Sequence, residues 1–591
     1  MFERLLKIAK ELGEAHSPPE VSEALSQAVP EQITIQDVRD LLFPEDGDAA
    51  TRNIQDSIAA LWAVYAIMKS GSVSEHEHEE ESDDNKNSAA LNDIAARVGT
   101  LMAPVCPSVP VDEEDNTDYA PLALKGSLGL HILDLLTKSY AEQIVLPGSA
   151  LLSVVAYTRP IDPWSADAAA SLAQSLLQTH FRRLAATTAR GKSRDGEQQQ
   201  QQQQRAKFIV ADVLDGFLRP LFSRSRPAAV TASGRKAEFV EPARYDYIER
   251  ETPEAKPWKY THRYAVTVFE WAVGCADPPL LQSHWPLFTP VLLALLDDPQ
   301  VTIATPTPTV AEAAAPAAPA EGVKLRALRV LRAFWARLPP ALMRDTGLAP
   351  VFEQAVFPSV LSLPSLTPED ESAALLGAAY PALFDMAGIP GGRGGGDNSN
   401  DDGSNDEQQQ RGHKVVDFTE EQRKLLDRIV REGIMTGYHH AKEHVRLVSL
   451  FCENLRYLVD GIGILAVKYL KEFIPMVSEI LTDPFGTKHP PSLLSATKLL
   501  QAILCSCWPR VPRYFNEIVK MLMLCWLNVE DEDAFPDGGP SRTQLKDELT
   551  RTSQMLSAIM KAAESDMSER VSPLIEKEPQ LRNLFGDHDA K

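Results

Sequence analysis

The sequence predicts an all-α fold, a HEAT-like α-solenoid of stacked antiparallel helix pairs joined through disordered linkers. Three observations carry the prediction. Apolar residues make up 44% of the chain and are led by Leu and Ala, while aromatics are only 7%, a usage that favours helices over sheets. No segment shows the polar–apolar alternation of a half-buried strand. And one twelve-residue stretch occurs twice, as FTPVLLALLDDP from Phe288 and FIPMVSEILTDP from Phe473, with Phe, Pro, Leu, Asp and Pro at matching positions.

In both copies the apolar helix ends in Asp-Pro. Pro cannot continue a helix interior, and Asp accepts backbone N–H groups in the turn that follows. Beyond the turn a second amphipathic helix carries a basic residue, Lys324 or Arg326 in the first case and Lys498 in the second. The repeated stretch is therefore read as the first helix and turn of a helix pair. One pair cannot bury its own apolar face, but stacked neighbours can.

The elements follow in order. Residues 1–69 read as N-terminal helices, with apolar stripes at Phe2, Leu5, Leu6 and Ile8 and at Ile54, Ile58, Leu61, Val64, Tyr65 and Met68. Residues 70–120 hold acidic linkers around a short helix. Residues 121–257 form a helical region interrupted at 189–206, where seven consecutive Gln, 198–204, predict a disordered loop. The block 258–388 is dense in helix signals, though a run of Ala, Pro and Thr at 301–321 splits the turn after Asp298. Thr367, Pro368, Glu369 and Asp370 predict a helix start with a Thr cap and acids in the first turn. A Gly/Asp/Asn/Gln-rich linker, 389–413, reads as disordered. In the C-terminal block, 414–530, Thr419 to Gln422 fits a capping box. Helices are expected there at 420–432, 441–459, 464–481, 492–507 and 513–527, with Gly461-Ile462-Gly463 as a stop. A terminal helix at 541–563 and a charged tail complete 531–591.

Three further stretches resemble a known family: HWPLFTPVLLALLDDPQ with VKLRALRVLRAFWARLP, then GLAPVFEQAVFPSVLSLPSLTPEDESAALLGAAYPALFDMAG, then LCSCWPRVPRYFNEIVKMLMLCWLNVEDED. In that order they look like the Tel-two-interacting protein two family, over roughly residues 258–530. The resemblance implies a non-catalytic scaffold, one of three helical-repeat subunits of the Triple T (TTT) complex. That complex works with heat-shock chaperones and a RuvB-like ATPase adaptor to support phosphatidylinositol-3-kinase-related kinases. The expected partners are the other two subunits, the largest one directly, and through them the kinases and chaperones. A different HEAT-repeat adaptor, of the transport or phosphatase-scaffold type, is the alternative reading.

The bulk charge agrees with a protein-binding role. A net charge of −23 opposes general binding to nucleic acid or anionic lipid. The best basic face, Lys324, Arg326, Arg329, Arg332 and Arg337, reads as a solvated helix face or a surface for an acidic partner. Six Cys without a paired framework and an N-terminus unlike a signal peptide predict a cytoplasmic protein, with a nuclear pool as an extension. No cofactor, metal or catalytic residue is expected. The glycines lack phosphate-loop context. His440 and His444 have the spacing of a metal pair on a helix, but Ala441 stands where a zinc-protease motif needs Glu, so capping or solvated histidines are expected. Cys505 and Cys507 should point to different helix faces. Ser74 and Ser82, in acidic sequence, suit an acidophilic kinase.

The candidate partner-binding residues are Trp508, Arg510, Arg513 and Tyr514, in the segment CWPRVPRY between two predicted helices. These residue types are enriched at binding hot spots, and two prolines lower the ordering cost. The competing reading is that Trp508 and Tyr514 plug the interhelical core.

Overall fold

The computed structural model describes residues 2–12, 20–42, 53–71, 81–107, 117–188, 194–225, 252–299, 302–303, 320–389, 418–532 and 540–586, apart from isolated positions within and between them. The chain divides into two units, residues 1–351 and 352–591. The division falls inside the expected 258–388 block. The linker expected at 389–413, the acidic run 72–80 with Ser74, and most of the 301–321 insertion lie outside the described residues. So do the side chains of 81–86, which include Ser82.

The first unit is a succession of helices: α1 (Glu3–Leu12), α2 (Ile35–Leu42), α3 (Ile54–Ser70), α4 (Glu81–Met102), α5 (Ala120–Ser139), α6 (Gly148–Val155), α7 (Asp167–Thr188), α8 (Arg194–Phe208), α9 (Ala265–Cys275), α10 (Pro278–Leu296) and α11 (Val323–Trp335). Shorter turns lie between them. From α1 to α5 each helix packs against the helix two places later, and α9 packs likewise on α11. This is the two-layer stacking of helical repeats, in which the apolar face of one pair is covered by the next. α3 sits in the middle of it and is buried on every side, from Ile58 to Ile67. Where α5 crosses its neighbours, Gly126 lies against the Tyr157 ring and Gly129 against Met102, so a Cβ at either position would collide.

The second unit follows the same rule with α12 (Ala349–Val356, which contains the division), α13 (Glu369–Met386), α14 (Glu420–Arg428), α15 (Val445–Ile462), α16 (Leu470–Leu481), α17 (Pro490–Cys507), α18 (Phe515–Asp531), α19 (Arg542–Ala562) and α20 (Met567–Lys577). α13, α15, α17 and α19 form one layer, each packed on the next, and α16 packs on α18 in the other. Both copies of the repeated stretch behave as first helices of a pair: α10 packs on α11 and α16 on α17. Phe288 and Phe473 occupy equivalent places, each fully buried.

The two Asp-Pro turns are supported differently. Asp483 accepts the Phe485 N–H at 2.9 Å. Asp298 is fully buried and lies 3.4 Å from Lys256 and 3.0 Å from Lys259. Burial pushes the neighbouring Asp297 carboxyl up and Lys324 down, each opposed by the other's charge. The two lysines can return to water when their partner is lost, so Asp298→Ala should cost only about 1–2 kcal/mol. A urea midpoint unchanged by this substitution would remove Asp298 from the support of the turn.

Several expectations need correction. The glutamine run 198–204 is helical, inside α8. Gln is a good helix former. Here Gln200, Gln201 and Gln204 form a half-buried stripe at helical spacing, α8 packs on α7, and Arg205 lies 5.6 Å over the Phe181 ring. The described residues also contain one strand pair, Thr302–Ile303 against Ala320–Glu321. The insertion leaves and re-enters a single turn, which brings its two ends side by side. Two helices run on through wide π-helical turns, α8 through Ile209–Leu218 and α14 through Ile429–Met435 into Thr436–Ala441. The helix expected to stop at 432 therefore reaches 441. The helix expected at 441–459 spans Val445–Ile462 instead. At α13 the cap position falls on Pro368 rather than Thr367, with Glu369, Asp370 and Glu371 in the first turn. The capping box of Thr419 and Gln422 is formed as expected.

The basic face of α11 is solvated only in part: Arg329 is exposed, but the face is not a free charged surface. Arg326 is buried and Arg337 donates to the carbonyls of Gly274 and Ala276 at the end of α9. Arg326 is enclosed by Asp162, Thr267 and Glu270. Its Nη2 donates to Thr267 Oγ1 at 2.8 Å and Glu270 Oε2 at 2.7 Å, and its Nη1 to Asp162 Oδ1 at 3.3 Å. Periodicity placed these cations on one helix but could not show that α9 presents acceptors to them.

Candidate protein-interaction surface

In the second unit, α13, α15, α17 and α19 occupy alternate places in an antiparallel succession, so their C-terminal ends share one edge. Local sequence ends each helix there. α15 stops at Gly463, whose φ of 55° is easily reached only without a side chain. α17 stops at Cys507, and Pro509 and Pro512 then forbid a regular helix, giving the tight 3₁₀ turn Trp508–Tyr514. Ser506 Oγ donates to the Val459 carbonyl at 3.5 Å, which sets the two helix ends side by side. The Gly463–Tyr469 turn packs against α17, and the Trp508–Tyr514 turn packs against α17, α18 and α19.

Val511 anchors the second turn and is 1% exposed, whereas Trp508 is 56% exposed. Arg510 and Arg513 are exposed and Tyr514 is half-buried. The core-plug reading therefore fails for Trp508 and holds in part for Tyr514. Ile464 and Leu465, 49% and 41% exposed on the adjoining turn, extend the apolar surface. Sequence reasoning missed them by running one helix through 464–481. The signal available was Gly461 and Gly463, which make the chain turn just before two large apolar residues. Neither Arg510 nor Arg513 has an ion-pair partner among the described residues. Their charges complement the partial negative charge at the ends of α15 and α17. The edge thus offers two isolated guanidinium groups, a large aromatic and two aliphatic side chains, a composition that suits a protein surface rather than a reaction.

The remaining candidates resolve into structural roles. His439 and His440 lie on Thr436–Ala441, while His444 falls beyond the helix end and its Nδ1 meets Glu369 Oε2 at 2.8 Å. His440 and His444 are therefore not on one helix. No group of three or more His, Cys, Asp or Glu suited to a metal occurs among the described residues. Cys505 is exposed and Cys507 buried, on different faces as expected. No helix among the described residues is long and apolar enough to cross a membrane.

Comparison with known proteins gives a family. The model of the Tti2 family matches residues 150–307 and 317–488, more than half of the chain. No curated protein matches it. Among solved structures, a mutant of Kap121p is similar at 10% identity, with a TM-score of 0.35 over 94% of this chain and 48% of that one. Kap121p bound to Pho4p gives 10% identity and a TM-score of 0.34, over 98% of this chain and 55% of that one. Importin beta gives 10% identity and 0.26, over 100% and 80%. The chain spans about half the length of the Kap121p chains it resembles.

Proposed function

The chain belongs to the Tti2 family, and on that premise we propose that it is a non-catalytic scaffold subunit of the Triple T co-chaperone complex. It holds the other two helical-repeat subunits, the largest one directly. Through them it meets the heat-shock chaperone machinery and supports the maturation of phosphatidylinositol-3-kinase-related kinases, in the cytoplasm and with its clients in the nucleus. Its mechanism is binding alone. The observation that carries this reading is the exposed edge at Trp508, Arg510 and Arg513, where hot-spot residue types stand free on a turn stiffened by Pro509 and Pro512.

The test is co-purification of the full chain with the other two Triple T subunits, beside a variant carrying Trp508→Ala, Arg510→Glu and Arg513→Glu. The three residues are exposed or on the turn's outer side, so the melting temperature should hold. Affinity should fall by roughly a hundredfold, from losing an aromatic anchor and reversing two charges. Recovery of the subunits at near-equal amounts by the wild-type chain, and their loss from the variant, would support both the assignment and the edge. Recovery by both proteins would move the interface elsewhere. A different partner set would overturn the Triple T assignment.

A further inference from the structure

The other layer of the second unit carries a cleft of about 440 Å³, within the roughly 300–1,000 Å³ of ligand-binding pockets. One wall is the continuation of α14, where the π-helical turn Ile429–Met435 broadens the helix and is followed by Thr436–Ala441. The other wall is α16, which carries Pro475 in its interior. Met435 and Met476 are buried and line it as two flexible, polarisable side chains that adapt to varied apolar partners. Pro475 is exposed and has no N–H, so the carbonyl of Lys471, one turn earlier, lacks its usual helical donor. The cleft therefore combines a methionine-lined floor with an exposed proline on its wall.

The charges in the cleft are unequally spent. Glu472 is held by Arg431 at 3.4 Å. Glu479 accepts from Tyr438 Oη at 3.0 Å and from Lys442 Nζ at 3.0 Å. Lys471 is exposed, lines the same cleft and has no ion-pair partner among the described residues. Both carboxylates are already neutralised and one ammonium is not. Lys471 is thus the lining cation left without a carboxylate among the described residues.

From this arrangement we infer that the cleft between α14's continuation and α16 is a docking groove for an acidic, apolar-anchored peptide segment of a partner protein. An apolar side chain of the segment rests against Met435 and Met476, and an adjacent Asp or Glu pairs with Lys471. The groove is separate from the Trp508 edge, which belongs to the α15–α17 layer, and does not depend on the function proposed for that edge.

The experiment pans a displayed library of short random peptides against the immobilised full chain. The enriched peptides are then titrated on wild type, on Lys471→Glu and on the Trp508/Arg510/Arg513 variant. Lys471 is exposed, so its reversal should leave the melting temperature unchanged. The expected result is enrichment of peptides with a large apolar residue beside Asp or Glu. Their affinity should fall roughly tenfold or more on Lys471→Glu and stay unchanged on the edge variant. Enrichment of basic peptides, of peptides indifferent to Lys471→Glu, of peptides lost on the edge variant instead, or of none, would overturn the groove.

Discussion

Replacing Arg326 by leucine should destabilise the first unit by about 3–5 kcal/mol, the usual cost of removing one partner from a buried ion pair. Arg326 is 4% exposed and is the main cation facing Asp162, itself 5% exposed. Burial pushes the Asp162 carboxyl up, and the Arg326 charge, the Thr267 hydroxyl and the Arg159 charge pull it back. Without Arg326 the carboxylate keeps, among the described residues, Thr267 and the more distant Arg159, 3.8 Å away. The folded-state pKa of Asp162 then rises further above that of the unfolded chain. A carboxyl shifted upward penalises the folded state at neutral pH, and the penalty eases as pH falls through the raised value. The variant's deficit should therefore be largest near neutrality and smaller at acid pH. Adding Asp162→Asn removes the stranded charge and should restore part of the loss. Urea unfolding of the wild type, both single variants and the double variant measures this directly. Additive losses would mean that the two residues are not coupled.

Lys125→Met should act in the opposite direction and stabilise the first unit by about 2–3 kcal/mol at neutral pH. Lys125 is 7% exposed on α5, and its Nζ donates to the Ala103 carbonyl at 3.2 Å. Burial pushes its pKa down to about 8, offset slightly by the nearby Cys106 thiol. The Ala103 carbonyl also accepts the Val105 N–H at 2.8 Å, so it is not stranded when the ammonium goes. Below about pH 8 the folded chain bears the full penalty of a buried cation. As pH rises from about 8 towards the unfolded value of 10.5 the unfolded chain loses its proton as well, and the penalty disappears. The variant's advantage should be constant below pH 8 and vanish near pH 10.5. A variant no more stable than wild type at pH 7 would show that Lys125 contributes through contacts its ammonium alone can make.

The all-α class, the stacked pairs and many helix ends were legible because they are set by local chemistry. Thr419 and Gln422 cap a helix through their own side chains, Gly463 stops one through its backbone, and Asp-Pro ends two more. The glutamine helix was not legible because composition reports only a tendency, whereas α7 supplies the surface on which Gln200, Gln201 and Gln204 rest. Arg326 was misjudged for a related reason. Its role is fixed by Thr267 and Glu270, some 56–59 residues away in sequence, and by Asp162, 164 residues away. The π-helical turns have no sequence signature comparable to a cap or a stop. Of the candidate surface, Trp508, Arg510 and Arg513 were legible as residue types near two prolines. Their exposure was not, because it depends on Val511 occupying the buried position in the turn. The cleft was missed altogether, since it is formed by two helices and neither wall differs in composition from an ordinary amphipathic face.

In the stacked helices most packing partners lie only one or two helices apart along the chain. That has a consequence for how the protein is made. When α15 leaves the ribosome its partner α13 is already outside, and α17 will find α15 in place. Each new pair can dock on the last without waiting for the C-terminus, as expected where contacts are local and loop closure is short. Synthesis in the N-to-C direction is then also the order of assembly. Nascent chains paused with Ile462 just clear of the ribosome should already protect α13 and α15 from protease, while the edge at Trp508 becomes available only when the α15–α17 pair has closed beneath it.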